Sequence, residues 1–135
     1  MRSPGRAEQY LESEVLTAGP GRLLLITYAG LLRSLTQAKE AMGAGDYHAK
    51  HTAVARAQAL LLELRRTLNP QACPEVAAGL AAIYAYLLEQ LARADAEDDE
   101  ARLAHVAAIV SDLQDAWAQA ERAVRMAAGG QGAEA

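Results

Sequence analysis

Residues Val15 to Leu35 read VLTAGPGRLLLITYAGLLRSL, and this stretch decides the fold. Thr17-Ala18-Gly19-Pro20-Gly21 offers a hydroxyl that can cap a helix, a ring that presets φ for a first helical turn, and two glycines. A helix is therefore expected to start here. The apolar pattern begins at once: Leu24, Tyr28, Leu31, Leu35, Ala38 and Met42 follow at alternating steps of four and three, the seam of a helix packed along its whole length. Leu25, Ala29 and Leu32 form a second row beside that seam. One stripe suffices for a bundle helix, so the wider apolar surface has two readings, a thoroughly buried helix or a groove for another chain's helix.

Toward the N-terminus, Met1 to Arg6 carry Ser, Pro and Gly without an apolar period, which predicts a flexible start. Ala7 to Leu16 differs. Tyr10, Leu11, Glu14 and Val15 would bring an aromatic and two aliphatics together on a helix too short to stand alone, so it must dock. A strap over the bundle and a plain packing helix both satisfy that need.

Toward the C-terminus, Gly43-Ala44-Gly45 breaks the first helix and Asp46 can cap a second, from about Tyr47 to Leu68, with Val54, Ala57, Leu61, Leu64 and Leu68 as its seam. So brief a connection makes this helix return antiparallel. Leu60 and Leu62 fall off its seam. Asn69 to Pro74 is a loop, because the residue before each proline is pushed out of the α region, and Pro74 can open a third helix. That helix, to about Ala94, is expected to bury Val76, Leu80, Ile83, Leu87 and Leu91, with Tyr84 and Tyr86 at the rim. Asp95 to Glu100 is an acidic turn whose carboxylates complement the dipole of a fourth helix. The fourth seam is the most regular: Leu103, Val106, Val110, Leu113, Trp117, Ala120 and Val124. Gly129-Gly130-Gln131-Gly132 is expected to end the helix, leaving 128–135 as a disordered tail after a bundle spanning 7–127.

The fold class that follows is all-α, an antiparallel four-helix bundle preceded by a short N-terminal helix. A chain of 135 residues can close such a core without disulfides or metal. Its single cysteine, Cys73, has no internal partner, and the absence of a secretory or membrane-spanning apolar run leads to the expectation of a reducing cytoplasm. A net charge of −4 with scattered arginines argues against nucleic acid and anionic membranes.

The residues support no catalytic or metal chemistry. His48 and His51 can share a helix face, but a metal site needs further ligands, and solvated imidazoles are the expectation. The acidic turn lacks the glycine and alternation of an EF-hand loop, Ser111-Asp112 lacks a neighbouring His, and the glycines at 19 and 21 lack the Lys and Ser/Thr of a phosphate-binding loop. A binding protein without cofactor is expected, not an enzyme.

Several motifs carry a family resemblance. TAGPGRLLLITYAGLLRSL resembles the signature of the flagellar export chaperone FliS family, Thr-Ala-Ser/Asn-Pro followed by Leu-rich sequence and Tyr-Asp-Gly, with Gly19, Gly21 and Ala29 as departures. Gly-Asp-Tyr at 45–47, the Ile83-Tyr84-Ala85-Tyr86 phrase and Ala116-Trp117 resemble later family motifs in the same order. The resemblance implies a cytoplasmic chaperone that binds the C-terminal helical region of flagellin, keeps it from polymerising and hands it to the flagellar export apparatus. On that reading the flagellin-binding groove would lie between the first two long helices and comprise Tyr10, Leu11, Val15, Leu25, Tyr28, Ala29, Leu32 and Leu62, the first three forming a strap over the rest. The rival expectation is a structural bundle that acts through homo-oligomerisation, with a homodimer as its simplest form.

Overall fold

Four helices carry the chain from residue 20 to 134, the part that the computed structural model describes, with side chains placed from 21 to 128: α1 (Pro20–Gly43), α2 (Tyr47–Arg66), α3 (Pro74–Glu97) and α4 (Glu100–Glu134). The expected flexible start at 1–6 and the short helix at 7–16 lie outside the described residues.

The turns follow from local chemistry. Gly45 takes φ +72°, a left-handed conformation that costs glycine little, and Asp46 then caps α2 by accepting from the Ala49 N–H at 3.1 Å. Pro74 occupies the first turn of α3, where its missing N–H would be unpaired anyway. Between α3 and α4 only Asp98 and Asp99 intervene. Asp98 is left-handed (φ 51°, ψ 46°), and Asp99 caps α4 by accepting from the Arg102 N–H at 3.0 Å.

Connections this short make each helix antiparallel to the one before, and the four close into a square in which α1 and α3 each pack on both α2 and α4. The core is the union of four stripes. Tyr28, Leu31, Leu35 and Ala38 come from α1, Val54, Ala57, Leu61 and Leu64 from α2, Tyr84, Leu87 and Leu91 from α3, and Leu103, Val106 and Val110 from α4. The seams of α1 and α2 are those expected from spacing.

Three expectations need correction. On α3 the stripe is turned by one position near its start: Ala77 is buried while Val76 is 53% exposed, and Tyr84 is inside, at 1%, where the rim was expected. Spacing permitted either phase, and burying the larger Tyr84 surface together with Leu87 and Leu91 selects this one. On α4 the seam outlasts the bundle, because α1 begins opposite Glu121 and, among the described residues, nothing covers Val124, which is 69% exposed. Finally, α4 runs through the glycines to Glu134 instead of stopping at the expected tail. Glycine lowers helix propensity by about 1 kcal/mol per residue but keeps its N–H, so it weakens a helix without forbidding it as proline does.

Candidate functional site

The residues left off the minimal seams define the outer face of α1. Leu25, Ala29, Leu32 and Thr36 recur at steps of four and three and so share one side of that helix. At the N-terminal end, Leu25 and Ala29 join Ile26, Gly30 and Leu60 of α2 in an open groove of about 440 Å³ edged by Arg22 and Arg33. At the other end, Leu32 and Thr36 belong to a larger groove, about 750 Å³, between α1 and α4. Its α4 wall is small and flat, formed by Ala104, Ala107, Ala108 and Ser111, and Lys39, Glu40 and Glu100 stand at its mouth. Small residues on one wall let a further helix approach closely, and the charges at the mouth stay in water. Such a surface suits an amphipathic helix laid along it.

The structure thus brings Leu25, Ala29 and Leu32 together and leaves Tyr28 and Leu62 out. Tyr28 is fully buried in the core. Leu60 is the α2 residue that faces α1, lying against Gly30, and Leu62 sits two positions on, about 200° around the helix, 45% exposed on the flank away from α1. The expected groove between α1 and α2 therefore lacks its α2 wall at Leu62. The remaining expected residues, Tyr10, Leu11 and Val15, lie outside the described residues. What the spacing argument missed is the alanine wall of α4. Its signal was present in the recurrence of Ala101, Ala104 and Ala108 beside Ala107 and Ser111, small residues at helical spacing next to the seam.

Beneath this face lies a polar lock. The hydroxyls of Tyr28 on α1 and Tyr84 on α3 share a 2.5 Å hydrogen bond across the diagonal of the bundle, and the Trp117 indole N–H of α4 donates to the Tyr28 oxygen at 3.3 Å. Burial pushes both phenols above their ordinary pKa; for Tyr28 the bonds to Tyr84 and Trp117 pull partly back, whereas for Tyr84 the bond to Tyr28 adds to the rise. Both hydroxyls stay protonated at neutral pH, as a hydrogen-bonded pair inside a core requires. Three aromatic residues far apart in sequence thus form one contact.

At the opposite end, the buried Lys50 of α2 fastens the α3–α4 corner. Its ammonium donates to the Asp95 carbonyl at 2.7 Å and to the Asp98 carboxylate, and pairs with the Asp95 carboxylate at 3.1 Å. The bond to Asp98 raises the Lys50 pKa against the opposing effect of burial. Burial would raise Asp95, but His51, whose Nδ1 lies 2.7 Å from Oδ2, and Lys50 together hold that carboxyl below the ordinary carboxylate range. His51 therefore has an orienting carboxylate, supplied by another helix, and His105 likewise meets the Tyr86 hydroxyl at 2.9 Å. Both rings are nonetheless exposed, as solvated imidazoles should be, and each has gained one polar neighbour from another helix. Among the described residues no cluster of three or more His, Cys, Asp or Glu side chains could hold a metal ion, and no helix is long and apolar enough to cross a membrane.

Comparison with known proteins identifies the family of the chain. Residues 3–124 match the family described as flagellar protein FliS. A relative from Bacillus subtilis, named flagellar secretion chaperone FliS, is 36% identical over 124 residues, covering 90% of this chain and 92% of the relative. Proteins of the same name from Campylobacter jejuni and Vibrio cholerae are 30% and 26% identical over 80% and 81% of this chain, and 84% and 80% of their own lengths. The family match takes in the α1 face, the hydroxyl pair and Trp117 alike, and the Bacillus relative is covered almost end to end; the chain therefore belongs to the FliS family, a family of flagellar secretion chaperones and not of enzymes.

Proposed function

We propose that this protein is a cytoplasmic export chaperone that holds the C-terminal helical region of flagellin along the outer face of α1 and the α1–α4 groove, blocks its premature polymerisation and delivers it to the flagellar secretion apparatus. The observation that supports this reading best is the apolar row Leu25, Ala29 and Leu32, which leads into a groove walled by small residues of α4. A subunit destined for a helical filament has terminal helices whose apolar faces are unpaired until assembly, and a preformed groove can hold them meanwhile. No bond is made or broken. The chaperone acts by mass action, lowering the free concentration of the polymerising segment.

Calorimetry with a peptide from the flagellin C-terminal region tests the assignment. Leu32→Glu and Ala108→Glu should abolish measurable binding with helical circular dichroism retained, because a carboxylate in the groove would be desolvated without a partner. Leu62→Glu should bind as wild type. Loss of binding in Leu62→Glu alone would move the site to the other flank of α2. Sedimentation of the free protein addresses the rival: a dimer that forms without peptide and binds none would make this a self-associating bundle instead.

A further inference from the structure

The seam of α2 is interrupted by a charge. Stepping back from Leu64, Leu61, Ala57 and Val54 by the same period lands on Lys50, which is 5% exposed. A buried ammonium must be desolvated, and an apolar side chain of similar volume generally serves stability as well or better, so a lysine here points to a geometry that an apolar residue could not enforce. That geometry concerns the start of α4. The Lys50 ammonium bonds the Asp95 carbonyl in the last turn of α3 and the Asp98 carboxylate in the two-residue link, while His51 braces the Asp95 carboxylate. Within the first turn of α4, Arg102 donates to the Gln90 side chain of α3 at 2.5 Å. All of these bonds draw the beginning of α4 toward α2 and α3. Among the described residues, no side-chain hydrogen bond or ion pair joins this end of α4 to α1.

The α1–α4 groove opens at that place. It runs along α4 from Glu100, two residues after Asp98, to Ser111, and along α1 from Leu32 to Gly43. Leu32, Leu35, Leu103 and Ala107 would bury more apolar surface if the two helices closed on each other, so an open groove requires a restraint that holds α4 from the other side. The structure assigns that restraint to Lys50: through Asp98 it positions the first turn of α4 and sets the width of the α1–α4 groove, and with it the affinity for a client helix. The consequence for affinity rests on that groove being the seat of the client, as proposed above. Lys50 does not line the groove, so it is a positioning residue that acts only through the α3–α4 corner.

Nitroxide labels on Lys39→Cys and Ala101→Cys, in the full chain with Cys73→Ser and without client, measure the span of the groove by electron paramagnetic resonance. Lys50→Met should shorten that span by about 1–2 Å, the usual scale of a helix shift at an interface. Asp98→Gly keeps the left-handed turn and leaves Lys50 bound to Asp95, so it should fold and shorten the span in the same sense even if Lys50→Met folds poorly. Calorimetry with the flagellin C-terminal peptide should show affinity lower by roughly 2- to 30-fold in both variants, at matched helical circular dichroism. Leu64→Val, a core change at the other end of α2, should move neither reading. An unchanged or longer span in Asp98→Gly overturns the assignment, and so does a Leu64→Val span that shortens as far, since the cause would then be general loosening. A shortened span with unchanged affinity overturns the link to the client. If the wild type binds no peptide, the client reading falls, and the spans still decide whether Lys50 sets the groove.

Discussion

Removing the hydroxyls of Tyr28 and Tyr84 one at a time and then together should give a strongly non-additive cycle. Tyr28 is the centre of the lock: its oxygen accepts from Trp117 and shares the 2.5 Å bond with Tyr84. Tyr28→Phe therefore removes two hydrogen bonds and strands the Tyr84 hydroxyl, which is 1% exposed. The Trp117 N–H is half-buried and can turn to water. With about 0.5–1.5 kcal/mol net per bond and about 1–3 kcal/mol for a stranded buried group, a loss of roughly 2–4 kcal/mol is expected. Tyr84→Phe removes one bond and leaves Tyr28 still accepting from Trp117, so roughly 1–2 kcal/mol suffices. The double variant loses the same two bonds but strands nothing inside the core, so it should cost no more than Tyr28→Phe alone, giving a coupling of at least about 1–2 kcal/mol. Urea denaturation followed by circular dichroism measures all four corners. Additivity within about 0.5 kcal/mol, or a Tyr84→Phe as costly as Tyr28→Phe, would refute the lock. The pair also sets a limit at high pH. Because folding raises both phenol pKa values, unfolded tyrosines ionise first, so the stability owed to the pair is intact below about pH 10 and declines as pH rises beyond it.

Trp117→Ala should destabilise by about 2–3 kcal/mol, less than the cost of a fully buried tryptophan because the ring is only half-buried. Lys50→Met should cost about 2–3 kcal/mol in urea, since it leaves the Asp95 and Asp98 carboxylates facing each other, though their partial exposure to solvent tempers the loss. Asp95 has its pKa lowered by folding, so its contribution is complete at neutral pH and is lost as pH falls through and below the ordinary carboxylate range; acid titration of Asp95→Asn should show a shallower loss of stability than wild type. Helical circular dichroism should be unchanged by EDTA, because four apolar stripes supply the core; a loss of signal would reveal a structural metal.

The sequence by itself determined the fold class, the order of the helices and most of their ends. Those features rest on local physics: Asp46 bonds to a residue three positions away, Pro74 acts through its own ring, and the seams of α1 and α2 are read from a period that each helix carries alone. The motifs resembling the FliS family were legible as strings. Their convergence was not, since Tyr28, Tyr84 and Trp117 meet only because α1, α3 and α4 are held at fixed rotation, and rotation about a helix axis depends on what packs against it. The same cause governs the misplaced residues. Val76 and Ala77 both fit a helical stripe, and the burial of Tyr84 chose between them. Leu62 looked like a wall of the α1–α2 groove because it is large and off the seam, but which flank of α2 it occupies is decided by the turn that brings Leu60 to Gly30. His51 finds Asp95 only across the α2–α3 interface, and the small residues of α4 become the wall of a groove only when α1 lies beside them. Periodicity along one helix fixes which residues share a face, whereas the direction in which that face points is a property of four helices packing at once.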